Sequence, residues 1–294
     1  MQVAILYATV VLIWGSTWAA IPFQLGVVAE EVSVAYRFAL GSLTLFLFAA
    51  ATKRSFTFPI RHYPMVILMG ALMFSANYLL TYYAINYITS GLVAVVFSLI
   101  VVANGFFEML FFGRPLAGRL IVASILGVAG IACMFWPEMQ SVDLANTTVY
   151  GILLAVIAVI FASLGNIAAI VLTDRQLPVV TVNAHGMAWG AITSALVALV
   201  LGREFNFLFQ ADYIASLLYL AVFGSAIAFG CYLALLRTIG SARAAYTSVL
   251  FPVIALIIST LIEDYQWSIP AFAGLLFIVA GNWLALTRIE RFDQ

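Results

Sequence analysis

Long apolar stretches separated by short polar breaks run through this chain. No Asp, Glu, Lys or Arg occurs in residues 1–29, 63–107 or 144–173. A bilayer span needs about 20 largely apolar residues. The pattern therefore predicts helices near 3–22, 32–52, 64–85, 89–112, 116–136, 147–172, 179–201, 213–236, 241–262 and 268–288. The run 63–107 is too long for one span and is divided at the short turn Asn86–Ser90. The expected fold class is all-α: a polytopic membrane protein with ten transmembrane helices. The first segment lacks a basic leader, and its apolar core exceeds the roughly 7–15 residues of a signal peptide. It reads as a permanent span.

Charge then orients the helices. The loops after even-numbered spans, with the C-terminus, hold Lys53, Arg54, Arg61, Arg114, Arg119, Arg175, Arg237, Arg243, Arg288 and Arg291. Those are 10 of the 12 basic residues; Arg37 and Arg203 fall toward the other side. Positive charge marks the cytoplasmic face, so both termini are expected inside. Asn146-Thr147-Thr148 fits a glycosylation acceptor on the outer side, a short pattern that also arises by chance.

The second half echoes the first at an offset near 150 residues. Ile13-Trp14-Gly15-Ser16 aligns with Ile160-Phe161-Ala162-Ser163, and Val128-Ala129-Gly130 with Val279-Ala280-Gly281. The expected units are residues 1–143 and 144–294, five spans each. An odd number of spans forces the second unit to start on the opposite side, so the two repeats are inverted. Inverted repeats are characteristic of secondary transporters, with substrate held near mid-membrane between them.

Composition narrows the function. Of 294 residues, 65% are hydrophobic and 8% charged, against about a quarter charged in a soluble domain. Cys133 and Cys231 stand alone in separate apolar segments, without metal or redox spacing. No nucleophile triad, metal cluster, phosphate loop or ATPase signature is visible, so no enzyme activity and no cofactor are expected. The loops, about ten residues at most, imply no soluble partner, and nothing points to nucleic acid. The partners expected are a small-molecule substrate and the lipid bilayer.

Trp14-Gly15-Ser16, Arg37-Phe38, Ala234-Leu235-Leu236-Arg237, Gly240-Ser241-Ala242-Arg243 and Pro252 resemble the EamA branch of the drug/metabolite transporter superfamily. The resemblance covers nearly the whole chain. It implies ten helices around a central cavity lined by spans one to four and six to nine, with the fifth and tenth peripheral. Among members, the aromatic pattern looks closest to an amino acid exporter. Gly113-Arg114 and Glu263-Asp264 depart from the Gly-Glu that many members carry there.

Polar side chains inside a bilayer are costly unless they face protein or water, so they mark candidate sites. In span one, Trp14 and Trp18 share a face beside Ser16. In span three, Ser75, Tyr78 and Tyr82 follow i, i+3, i+7 spacing, with Asn77 alongside. They either line a substrate site or pack between helices. Ser163 and Asn166 in span six, and Tyr246 before Pro252 in span nine, offer donors and acceptors to an amino acid's polar end. In span seven, His185 and Trp189 share a face beside the close-packing pair Gly186 and Gly190. His185 could couple protons or sit as a neutral hydrogen-bonded ring. Asn104 and Asn282 read as links between helices. Glu108 either snorkels toward basic neighbours or carries protons. Arg37 either grips a substrate carboxylate or, more simply, pairs with Glu30 or Glu31.

The function expected is export of amino acids, aromatic and other apolar ones, across a bacterial inner membrane by alternating access. The alternatives are other small metabolites or drugs, or a sugar-nucleotide or phosphate-ester carrier. The last would need several basic groups in the cavity, and the sequence offers Arg37 alone.

Overall fold

The computed structural model describes residues 2–113, 118–134, 136, 147–175, 177–232, 234–235, 238, 247–262 and 264–286. These are helical, with no strand among the described residues. In chain order we label α1 (Gln2–Ala20), α2 (Glu30–Ala51), α3 (Ile60–Ile85), α4 (Ser90–Phe112), α5 (Gly118–Met134), α6 (Thr147–Asp174), α7 (Val179–Val200), α8 (Ala211–Tyr232), α9 (Thr247–Ile262) and α10 (Ile269–Leu286). Six of them, α1 to α4, α6 and α8, are long and apolar enough to cross a membrane. Exposed leucines such as Leu43, Leu47, Leu196 and Leu199 cover outer faces of α2 and α7. In water such a belt would be unstable; against lipid it is the expected surface.

Backbone chemistry ends the helices. After α2, Lys53 adopts φ 52° and the Arg54 N–H reaches back to the Ala49 carbonyl at 2.8 Å. After α7, Gly202 adopts φ 66° and the Arg203 N–H reaches the Ala198 carbonyl at 2.8 Å. Both are left-handed caps that satisfy free carbonyls. Gly113 after α4 and Asp264 after α9 are likewise left-handed, at φ 66° and 52°. Lys53, where a Cβ makes this conformation costly, shows that the cap is imposed by the chain's course.

Two helices widen locally. Leu72–Ala76 in α3 and Tyr219–Ile227 in α8 are π-helical, with i→i+5 bonding. Such segments are rare and insert extra residues into a turn. They change which side chains share a face.

The main pairings are α2 with α7, α5 with α10, α4 with α9, α1 with α8 and α9, α3 with α6 and α7, α4 with α6, and α2 with α8. Glycines make several possible. A Cβ on Gly130 of α5 would lie 2.7 Å from the Gly274 carbonyl of α10. A Cβ on Gly70 of α3 would collide with the Gly186 carbonyl of α7, and one on Gly190 would lie 2.5 Å from Phe74 Cβ. The close approach expected of Gly186 and Gly190 is therefore made, and its partner is α3.

Candidate functional site

The helices surround a partly open cavity of about 140 Å³. From α1 it takes Trp14, Thr17 and Trp18, the i, i+3, i+4 face of one helix, and just beyond its end Ile21. From α4 it takes the same spacing, extended to i+7: Phe97, Ile100, Val101 and Asn104. Met73, Asn77, Tyr78 and Thr81 come from α3, and Ala162 and Asn166 from α6. Phe229 and Tyr232 of α8, Thr247 and Phe251 of α9, and Arg37 of α2 complete the lining. None of the described lining residues belongs to α5, α7 or α10.

Seven of the nineteen described lining residues carry aromatic rings. Trp14 meets Phe229 at 5.3 Å and Tyr232 at 5.1 Å between ring centres. Trp18 meets Phe97 at 5.4 Å and stacks on Phe251 at 6.1 Å. The Trp14 indole Nε1 donates to the Gly224 carbonyl, 3.2 Å away in the π-helical part of α8. That bond fixes the ring's orientation and satisfies a donor that would be costly bare.

Polar groups occupy the remainder. Asn104 Oδ1 accepts from Ser163 Oγ at 2.7 Å and from Asn166 Nδ2 at 3.3 Å. Asn104 thus links α4 to α6, as expected of an intramembrane amide, and also faces the cavity. Asn77 Nδ2 donates to the Met73 carbonyl at 3.1 Å within α3.

Arg37 departs from the simpler expectation. It does not pair with Glu30 or Glu31. The Glu31 carboxylate accepts from the Tyr83 hydroxyl and from Arg203 Nε at 3.3 Å, and Glu30 accepts from Asn86 Nδ2 at 2.8 Å. Arg37 is 2% exposed. Its Nε donates to Ser225 Oγ at 3.3 Å, its guanidinium lies 4.5 Å from the centre of the Tyr78 ring, and Nη1 has no partner. The reason is helix geometry. Glu31 and Arg37 are six residues apart and so project to different sides of α2, while Glu30, seven residues away, lies roughly 10 Å along the axis. On insertion scales an arginine at bilayer depth costs about 2.5–3.5 kcal/mol, only part of which a cation–π contact and one hydroxyl offset.

The other candidates are distributed as follows. Trp14, Trp18, Asn77, Tyr78 and Asn166 line the cavity. Ser16 turns away: its hydroxyl donates to the Leu12 carbonyl at 2.6 Å and meets the Tyr219 hydroxyl at 2.7 Å in a separate, open groove. Its neighbour Thr17 takes the cavity position. Ser75 accepts from Ser194 Oγ of α7 at 2.8 Å, and Tyr82 is fully buried outside the lining. Ser75 falls inside the π-helical turn, where counting by 3.6 fails, so Ser75, Tyr78 and Tyr82 do not form one cavity stripe. Ser163 lies behind Asn104, buried.

His185 lies outside the lining, near the start of α7. Its Nε2 is 2.9 Å from the Phe56 carbonyl, and the rings of Phe46, Phe58 and Tyr63 meet it edge-on at 5.1 to 5.4 Å. Trp189 packs beside Gly70, and Glu108 lies in α4 outside the lining. Tyr246 lies outside the described residues. The wall residues Phe97, Phe229, Tyr232 and Phe251 were not distinguishable in sequence, because a phenylalanine facing a cavity and one facing lipid look alike. Helical spacing from Trp14 would have indicated Thr17.

At the end of the bundle carrying Glu30, Glu31 and Arg203, polar contacts join the helix ends and the connecting segments. Gln24 Nε2 donates to the Tyr213 carbonyl at 2.9 Å, and the Ser33 and Tyr213 hydroxyls meet at 3.0 Å. Asn206 Nδ2 donates to the Val27 carbonyl at 3.3 Å, and the Tyr36 hydroxyl donates to the Asn206 carbonyl at 3.1 Å. The Glu31 carboxylate holds the Arg203 guanidinium above arginine's ordinary range by direct attraction and a hydrogen bond.

A cavity lined in part by aromatic rings, among membrane-length helices, suits a membrane transporter, and comparison with known proteins agrees. The sequence matches the EamA-like transporter family over residues 1–136 and 149–287. It is 24% identical to Protein PagO of Salmonella typhimurium over 97% of this chain and 93% of that one. It is 23% identical to the uncharacterized transporter YvbV of Bacillus subtilis over 98% of this chain and 92% of that one. A solved crystal structure superposes with a TM-score of 0.71 at 18% identity, covering 96% of each chain. The chain belongs to the EamA-like transporter family. It is a multi-pass membrane protein, for which the inner membrane is the usual bacterial location.

Proposed function

We propose that this transporter exports amino acids with aromatic or other large apolar side chains. The observation that carries this reading is the ring-walled cavity: Trp14, Trp18, Phe97, Phe229, Tyr232 and Phe251 face one space that also holds Asn77, Asn166 and Thr81. Rings bind an apolar side chain by dispersion and edge-to-face contact. Amides and hydroxyls serve the polar end of the same molecule.

Movement occurs by alternating access between two inverted five-helix halves, residues 1–143 and 144–294, with ten spans and both termini cytoplasmic. Several observations support this. The family matches each half separately. The π-helical segments lie in α3 and α8, about 150 residues apart, and the left-handed caps fall in two pairs at the same spacing, Lys53 with Gly202 and Gly113 with Asp264. Exchanging the first five helices with the last five turns α3–α6 into α8–α1, α3–α7 into α8–α2, and α1–α9 into α6–α4. It leaves α2–α7, α4–α9 and α5–α10 unchanged, and all of these contacts are made. Near-equivalent halves supply two end states of similar energy. The basic residues Lys53, Arg54, Arg61 and Arg175 lie at one end, which positive-inside bias makes cytoplasmic.

The test is transport by the purified protein in liposomes, with each of the twenty amino acids offered in either direction. Movement of phenylalanine or tryptophan down its gradient is expected. Movement of none overturns the amino acid reading.

A further inference from the structure

We propose that Arg37 is the carboxylate anchor of the cavity, so that a carboxylate is obligatory in the cargo and an amino group is not. The inference rests on the amino acid reading above and sharpens it, because it extends the cargo to aromatic monocarboxylates and removes aromatic amines from it.

Three observations carry it. First, Arg37 is the sole charged residue among the described cavity-lining residues, and it is 2% exposed. Second, its guanidinium is incompletely used. Nε donates to Ser225, the guanidinium lies against the Tyr78 and Phe38 rings beside the buried Tyr82 hydroxyl, and Nη1 has no partner in hydrogen-bond geometry. A guanidinium is a planar fork whose geometry matches a carboxylate. Third, the nearest acid along the helix is engaged elsewhere: Glu31 Oε1 accepts from Tyr83 and Arg203, and its second, buried oxygen makes no ion pair with Arg37. No carboxylate among the described residues lies within 4.0 Å of Arg37, so none of them neutralises it.

The amino end meets a different surface. The described lining holds no Asp or Glu. An ammonium would find the neutral oxygens of Asn77, Thr81 and Asn166, whose hydrogen bonds water makes equally well. Losing the amino group therefore removes little. Losing the carboxylate leaves a buried cation unpaired, and an organic cation adds like-charge repulsion in a low-dielectric space. A lone guanidinium also compensates only half of a phosphate dianion, which places phosphate esters outside the cargo class.

Gly224 lets Thr17 of α1 and the Arg37 guanidinium pack directly against α8. A Cβ on Gly224 would lie 2.7 Å from Thr17 Cγ2 and 3.5 Å from Arg37 Nη2. Both glycine and guanidinium sit beside the π-helical part of α8, which also provides Ser225.

The experiment measures binding to the purified, full-length protein by quenching of intrinsic tryptophan fluorescence, and exchange in liposomes loaded with labelled phenylalanine. The probes are phenylalanine, 3-phenylpropionate, phenethylamine, phenylalanine methyl ester and phenyl phosphate. 3-Phenylpropionate is expected to bind and compete within about ten-fold of phenylalanine. The amine, the ester and the phosphate are expected to be weaker than either acid by more than ten-fold. Arg37→Gln should abolish the preference for acids, and Arg37→Lys should restore it in part. An amine or ester that competes as well as phenylalanine overturns the proposal, as does an Arg37→Gln protein with an unchanged preference. The probe series on the unaltered protein decides the matter even where a variant fails to fold. If 3-phenylpropionate binds while no amino acid moves, the carboxylate anchor stands and the amino acid reading falls.

Discussion

Glu31 and Arg203 meet at 3.3 Å, joining the first turn of α2 to the segment that follows α7. The Glu31 side chain is fully buried, whereas that of Arg203 is 47% exposed. With Tyr83 donating to the same carboxylate, the pair ties α2, α3 and the segment after α7 together. In alternating access this contact has to part when the cavity opens toward that end.

Replacing Arg203 with alanine should raise the rate at which that end opens. In a background without Cys133 and Cys231, a cysteine placed at Trp18 should react several-fold faster with an impermeant thiol reagent added from the Arg203 side. Equal reactivity with and without Arg203 would mean that the pair is no latch. Attraction to Glu31 raises the Arg203 guanidinium above its ordinary range. For a group raised in this way the stabilising contribution is present below the unfolded value and lost above the folded one. On Arg203's side, the latch should therefore hold across the physiological range and fail only in strong alkali.

Trp18 stacks on Phe251 and contacts Phe97 on the cavity wall. Trp18→Ala removes that surface. The KM for phenylalanine and tryptophan should rise by roughly ten-fold, equivalent to about 1.4 kcal/mol of ring contact, while smaller cargo is affected less. Unchanged kinetics for every cargo would make the ring a packing element.

Gly274 faces the α5 backbone, and a Cβ there would collide with the Gly130 carbonyl and lie 2.8 Å from the Met134 nitrogen. Gly274→Val should separate α5 from α10 at a cost of about 1–3 kcal/mol. Thermal unfolding in detergent should shift downward by several degrees. Because no described residue of α5 or α10 lines the cavity, the KM should not move.

His185 holds the segment after α2 through the Phe56 carbonyl at 2.9 Å, beside Thr181, whose hydroxyl donates to the Ser55 carbonyl at 2.5 Å. His185→Ala should release this segment and make it several-fold more sensitive to limited proteolysis. The pH profile of transport should stay that of the parent. A flattened profile would assign the imidazole to coupling instead.

Much of the fold was legible before any coordinates. The boundaries expected for the second, third, fourth, sixth and seventh spans lie within a few residues of the observed helices, because uninterrupted apolar length is itself the signal. The internal echo at Gly130 and Gly281 was visible too, and its packing role became plain only when Gly130 met Gly274. The site was less legible. Ser16 and Thr17 are adjacent and equally polar, yet one faces Tyr219 and the other the cavity. Ser75 dropped out of its stripe because a π-helical turn, which leaves no composition signal, broke the count.

The amino-acid sequence by itself determined the solvent, the helices and the family. Hydrophobic length and charge-free runs require a bilayer, and a bilayer requires that backbone groups be satisfied within each helix. The tertiary structure alone decided which polar residues meet one another. Helical periodicity sets the angle at which a side chain leaves its own axis, but the neighbour at that angle depends on how helices distant in sequence are packed. That is why Arg37, six residues beyond Glu31, faces the cavity and leaves Glu31 to Arg203.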